Sequence, residues 1–250
     1  MTNYTQWKSL VDLHEYSAIP DSEGTHQWDY VEGSGTLVED QIGNLDADFT
    51  DITWRDDAGA GGFYAELDGS NDYADLGQES RSSLSHFVND AEGTLFAWVK
   101  PLGFADDDFN AIYGGDLSSS TRTIFYGIDT RDGEKTLYSS ISNGNSGEGL
   151  TDAVINFGTD EWAVVAFTSD GSTMRNYEAV GPDFDLVERE SGPVPNTASG
   201  DLEKNVTIGV SDEGSQRHWN GGVDLMFTDS IARSQSELQS IVDDSKAFYE

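Results

Sequence analysis

Between residues 30 and 229 the chain repeats one pattern: short apolar and aromatic runs of strand length, separated by clusters of Gly, Asn, Asp and Ser. The runs at 63–67, 94–100, 124–128, 136–142, 162–168, 206–210 and 223–227 are the clearest predicted strands. Their spacing predicts an all-β sandwich or barrel. In the run at 94–100, Leu95, Ala97 and Val99 alternate with Phe96, Trp98 and Lys100, so both faces are largely apolar, as in a strand buried between two layers. Helical periodicity is confined to the ends. Residues 4–14 place Trp7, Leu10, Val11 and His14 at spacings of three and four. Residues 235–248 carry Leu238, Ile241, Val242 and Phe248 on a similar stripe, opened by Ser234 as N-cap with Glu237 three positions on. The Pro-, Gly- and Ser-rich stretch 181–201 reads as a long surface loop.

Charge changes the picture. The 250 residues carry 13 basic and 47 acidic side chains, a net charge of -34, and only five of the basic ones are Lys. Acidic residues recur from Asp12 to Asp244 in short groups, so the charge coats a folded surface and does not form a tail. Such self-repulsion destabilises a compact state in dilute buffer, whereas at 1 M salt the Debye length falls to roughly 3 Å. The composition therefore predicts a protein adapted to very high salt. The same field disfavours nucleic acid as a partner. There is no Cys, so neither a disulfide nor a thiolate-held metal can brace the fold. No apolar run is long enough to span a bilayer, and residues 1–20 lack a basic stretch followed by an apolar one, so neither membrane insertion nor a secretory leader is expected.

Read in order, several segments resemble one family. Trp28, Asp29, Tyr30 and Val31 lead into Glu32, Gly33, Ser34 and Gly35, followed by Asp40, Gln41, Ile42, Gly43 and Asn44. Ala65, Glu66 and Leu67 precede Asp68, Gly69 and Ser70. The runs Thr94, Leu95, Phe96, Ala97, Trp98 and Glu161, Trp162, Ala163, Val164, Val165 follow. Trp219, Asn220, Gly221, Gly222, Val223 and Asp224 then lead into Ile231, Ala232, Arg233 and Ser234. Together these resemble the laminin-G-like, concanavalin-A-like jelly-roll family over residues 27–248. The resemblance implies a two-sheet antiparallel sandwich over residues 26–250, with short N- and C-terminal helices and residues 1–25 as a separate docking segment. Residues 1–25 and 172–200 depart from the family pattern.

Catalysis is tested first, because glucanases share this fold. Their chemistry needs two carboxylates about 5 Å apart, supplied by a strand of Glu-x-Asp-x-x-Glu type, and the sequence has none. Asp72 with Asp75, and Glu188 with Glu190, read as solvated charges, and the four histidines have no metal or triad spacing. No enzyme activity is expected. By resemblance, a structural Ca²⁺ (or Mg²⁺) would be held by Asp40, Asn44 and Asp224, oxygen donors of the kind hard cations take; the other reading of Asp40 is an Asx turn. Family members often hold sugars with rim aromatics, which points to Tyr113, Tyr177, His218 and Trp219, Trp219 also reading as an apolar plug. Trp98 and Trp162 are expected to pack.

Laminin-G-like domains generally act in adhesion outside the cell, while Met1 is followed by no secretory signal. That combination, with the acidic surface, points to a structural or adhesion protein on the virion of a haloarchaeal virus, such as a capsid decoration, turret, tail spike or fibre. It would bind other virion proteins, its own copies and host surface glycans, with Trp7, Leu10, Val11 and Leu13 as docking residues. The competing class is a secreted or cell-surface haloarchaeal lectin-like module, for which Asn3 and Asn205 open glycosylation sequons. A glycoside hydrolase comes third.

Overall fold

The computed structural model describes residues 25–249, apart from 107, 116–120, 145–146, 195–196, 198 and 212–216. Trp7, Leu10, Val11 and Leu13, and the helix expected over 4–14, lie outside the described residues.

The strands are β1 (His26–Trp28), β2 (Leu37–Val38), β3 (Ala47–Phe49), β4 (Thr53–Arg55), β5 (Tyr64–Asp68), β6 (Ala74–Asp75), β7 (Glu92–Gly103) and β8 (Phe109–Gly114). They continue with β9 (Arg122–Asp129), β10 (Thr136–Asn143), β11 (Gly147–Val154), β12 (Ala163–Asp170), β13 (Thr173–Val180), β14 (Val187–Pro193), β15 (Thr207–Ile208) and β16 (Asn220–Asp229). Among the described residues the α-helices are α1 (Glu79–Ser83), α2 (His86–Asn89) and α3 (Gln235–Ser245), the last followed by a 3-10 turn over Lys246–Phe248. All the predicted strands are present, and every pairing is antiparallel. One sheet runs β14-β13-β12-β7-β16-β5-β4, with β1 also on β16; the other runs β11-β10-β9-β8-β15-β6-β3-β2. This is the expected two-sheet sandwich.

The two-sided apolarity of β7 has a physical cause. Leu95, Ala97 and Val99 face the core between the sheets, while Phe96 and Trp98 face outward into a second apolar layer. Strand β12 divides likewise, Val165 and Phe167 inward, Val164 and Ala166 outward. That outer layer is closed by α3, whose buried Leu238, Ile241 and Val242 form the predicted stripe. The capping box is formed as expected, with Ser234 accepting from the Glu237 N–H and the Glu237 carboxylate accepting from the Ser234 N–H at 2.8 Å. Trp98 Nε1 donates to Ser245 Oγ at 3.0 Å. Its ring stacks on Tyr249 with 3.9 Å between centroids, which ties the last turn to the middle of the sheet.

One expectation is corrected. The stretch 181–201 is not simply a loop: it contains β14, which pairs with β13 from Pro193 opposite Thr173 to Val187 opposite Glu178. It is an edge strand, and most of its side chains are solvent-facing, so it lacks the apolar alternation that marks the central strands. The opposing edge, β11, is protected from another direction: the Glu190 carboxylate accepts the Asp152 N–H at 3.0 Å and the Thr151 N–H at 3.3 Å.

Candidate functional site

The loop after β2 is organised by one carboxylate. Asp40 Oδ1 accepts backbone N–H bonds from Gln27 (3.0 Å), Ile42 (3.1 Å) and Gly43 (2.9 Å), while Oδ2 accepts from Leu45 (2.9 Å) and from His26 Nδ1 (2.6 Å). Burial alone would raise this carboxyl, but the bonds from His26 and the backbone outweigh it and hold Asp40 below its ordinary value. The Asx-turn reading of Asp40 is the one realised.

That arrangement bears on calcium. Both Asp40 oxygens are spent on N–H donors, and Asn44 is exposed on the same loop. Asp224 is fully buried in the outer apolar layer, where it accepts from the Ala60 N–H (2.8 Å), the Leu225 N–H (2.8 Å) and Tyr249 Oη (2.8 Å). Among the described residues, no three carboxylate or imidazole side chains are grouped to hold an ion. Asp40, Asn44 and Asp224 therefore do not fit a calcium ion as one donor set.

Three of the four residues expected to hold sugar prove to be structural. Tyr113 is fully buried and directs its hydroxyl at the carbonyls of Phe96 (2.9 Å) and Phe227 (3.1 Å), pinning one sheet to the other. Trp219 is fully buried, with Nε1 donating to the Gly222 carbonyl at 3.2 Å, as its apolar-plug reading requires. Tyr177 packs in the outer layer with 3 % of its surface exposed. The partners their polar tips find inside offset the cost of burying them, so strand position alone does not reveal which face they take. Only His218 is half-open, beside Tyr73 and within reach of Asp68 and Asp72.

The site that the structure does build lies elsewhere. Helices α1 and α2, the Asp40 loop and the start of β1 line an open cleft of about 750 Å³, whose wall includes His26, Asn44, Glu79, Ser82, His86 and Asp90. Thr25, in its lining, donates its Oγ1 to Asp229 Oδ1 at 3.1 Å, and Asp229 in turn accepts from Arg233 Nε at 2.6 Å in a buried ion pair. His26 is 6 % exposed, and its Nε2 has no partner among the described residues. His86 Nε2 is likewise unpartnered, and burial pushes this imidazole down to about 4, keeping it neutral. Both residues line the cleft, but the two Nε2 atoms are themselves buried, so the surface the cleft offers is made by exposed polar side chains, among them Asn44, Glu79, Ser82 and Asp90. Sequence reading placed Asn44 in this neighbourhood and missed the histidines. They are 60 positions apart, and only the fold brings them to one cleft; the Ser-rich run around 80–85 was the one local signal.

The fold matches a known family. Residues 68–239 match the model described as the concanavalin A-like lectin/glucanases superfamily, and the chain belongs to it. No curated protein matches it in sequence. Domain 4 of AbnA, a GH43 extracellular arabinanase from Geobacillus stearothermophilus, solved in complex with arabinotriose, is similar at 18% identity and a TM-score of 0.62, over 86% of this chain and 96% of that one. Trypanosoma rangeli sialidase in complex with sialic acid is similar at 12% identity and a TM-score of 0.61, over 89% of this chain. The binding domain of botulinum neurotoxin DC, in complex with SialylT, is similar at 11% identity and a TM-score of 0.59, over 89% of this chain. The match covers 33% of the sialidase and 52% of the toxin domain. At these identities the likeness is one of fold.

Proposed function

We propose that this chain is a non-catalytic carbohydrate-binding domain that takes a glycan in the cleft between His26 and His86. The observation that carries this reading is a polar cleft on a lectin-type sandwich. Glycan-bound neighbours of the same fold support the ligand class. A non-catalytic role is supported by the occupations of the paired carboxylates. Asp72 accepts the Asp68 N–H, Asp75 the Gly77 N–H and the Asn205 side chain, and Glu190 guards β11. Asp29 and Asp224, whose carboxyls burial raises to about 7 and about 8, line neither the His26–His86 cleft nor the smaller acidic cleft around Asp129, Asp132 and Asp152.

In this proposal the domain is an adhesion part on the virion of a virus of haloarchaea, docked through residues 1–25 onto other virion proteins or its own copies. The dispersed charge of -34 supports a working environment of molar salt. A glycan array probed with the full chain in about 3 M KCl tests the binding function. Retention of specific glycans, lost in His86→Phe, is the expected result; retention of none by a folded chain overturns it.

A further inference from the structure

One oxygen atom joins the two segments that close the outer apolar layer beside α3. Asp224 Oδ2 accepts the Ala60 N–H at 2.8 Å, from the loop between β4 and β5, and the Tyr249 hydroxyl at 2.8 Å, from the turn that follows α3. The loop and the turn also hold each other, the Gly59 N–H donating to the Phe248 carbonyl at 3.3 Å. Beneath them lie two indoles, with the Tyr249 ring 3.9 Å from Trp98 and 4.9 Å from Trp162 between centroids. The strand is bent at this point. The register of β16 against β7 shifts between Asp224 and Phe227, and Leu225 takes a φ of +36°, in the left-handed region that bulky side chains resist.

The charged groups around this oxygen all have one sign. Asp29 is buried, and its Oδ1 has no partner among the described residues; half-buried Glu32 carries a second such oxygen, Oε2. The other titratable groups facing the cluster are Tyr30, fully buried, and Tyr249 itself. Among the described residues no Lys, Arg or His forms an ion pair with Asp29, Glu32 or Asp224. Burial therefore raises the Asp224 carboxyl to about 8 in spite of its three donors, and Asp29 adds to the shift.

From this arrangement we infer that the turn 246–249 and the Gly-rich loop 56–62 form one proton-held latch, which opens when Asp224 ionises and uncovers Trp98 and Trp162 while the sandwich stays folded. Opening two short segments brings water to the carboxylate at the loss of a few contacts, whereas unfolding gives up both sheets. A hydrated aspartate ionises at about 3.9, so opening releases a proton that the closed state keeps. The opening equilibrium therefore grows about tenfold per pH unit from about pH 4 to about pH 8 and levels off above that. Acid closes the latch and alkali opens it. Molar salt leaves this dependence in place, because charges buried together are screened little.

Hydrogen exchange of the full chain in about 3 M KCl, followed at about pH 6, 7 and 8 and corrected for the intrinsic rate at each pH, tests the latch. Peptides spanning 56–62 and 246–249 are expected to be protected at least about tenfold less than β9 and β10, and to lose about tenfold more protection per pH unit. In Asp224→Asn that pH dependence is expected to vanish from both peptides. Protection equal to that of β9 and β10 would mean that only global unfolding exposes these segments, and overturns the latch. A pH dependence that persists in Asp224→Asn overturns it as well, as does one that disappears between about 1 M and about 3 M KCl and so belongs to the surface charge. Tyr249→Phe carries the test if Asp224→Asn does not fold. It keeps the ring stack, removes the hydroxyl from Oδ2 and is expected to speed exchange of both peptides about fivefold. A change confined to 246–249 overturns the coupling between turn and loop.

Discussion

Tyr249 donates its phenolic hydrogen to Asp224 Oδ2 across 2.8 Å, and through that bond the last turn of the chain closes over a buried acid. Burial raises the Asp224 carboxyl to about 8, and that of Asp29 nearby to about 7, from ordinary values near 3.8. Both groups thus keep a proton in the folded state that the unfolded chain releases. Their contribution to stability is full below pH ~4 and is lost as pH rises, until about 7 for Asp29 and about 8 for Asp224. Between pH 7 and 8, Asp224 alone adds a downward slope of at most about 1.4 kcal/mol per pH unit. Asp224→Asn mimics the neutral acid, so its urea midpoint in molar salt should change less between pH 5 and 8 than that of the unmodified chain. Asp224→Ala should cost about 2–5 kcal/mol at any pH in this range, because it strands the Ala60 and Leu225 N–H groups and the Tyr249 hydroxyl.

Gly43 is the hinge of the cleft wall. A methyl group there would collide with the His26 ring and the Asp40 carboxylate. Gly43→Ala should push His26 out of its bond to Asp40, lower stability by about 1–3 kcal/mol and abolish glycan retention. Thermal unfolding and array binding, measured on one preparation, check both effects.

Removing the cap of α3 is a milder change. Ser234→Ala removes the hydroxyl that accepts from the Glu237 N–H and donates to the Glu237 carboxylate at 2.6 Å, and should cost about 1 kcal/mol. The loss should appear as a lower melting temperature, with ligand affinity unchanged, since α3 covers the outer face and not the cleft.

Glu190 works on the edge of β11. Glu190→Ala frees the Thr151 and Asp152 N–H groups as a template for a neighbouring chain. Light scattering should then show concentration-dependent association in molar salt, where the acidic coat no longer keeps molecules apart.

Calcium should be without effect on the Asp40 loop. Displacing an ion from oxygens already engaged by five donors has nothing to release, so EDTA or millimolar CaCl₂ should move the melting temperature by less than about 1 °C. A rise of several degrees with CaCl₂ would show that a cation competes successfully with those donors.

The sandwich was legible in the sequence because its central strands are continuous apolar runs bounded by marked turns, and α3 because its cap and stripe agree. Strand β14 was hidden by its exposure: without a buried face it has no period to read. Tyr113 was misread for a different reason, and Trp219, read both as a sugar contact and as an apolar plug, is buried as the plug. An amphipathic ring suits a rim and a core equally well, and the choice is made by carbonyls on strands far away in sequence. The cleft was invisible because its two imidazoles come from β1 and α2, and no spacing rule links them.

Strand β16 is the last strand in order, yet it lies between β7 and β5 in the interior of its sheet and also pairs with β1. A chain emerging from the ribosome therefore holds two half-sheets with facing unfilled seams, each lined with apolar groups, until residues 220–229 arrive. Registering that strand joins residues some two hundred positions apart in one step, and so makes maturation all-or-none and slow.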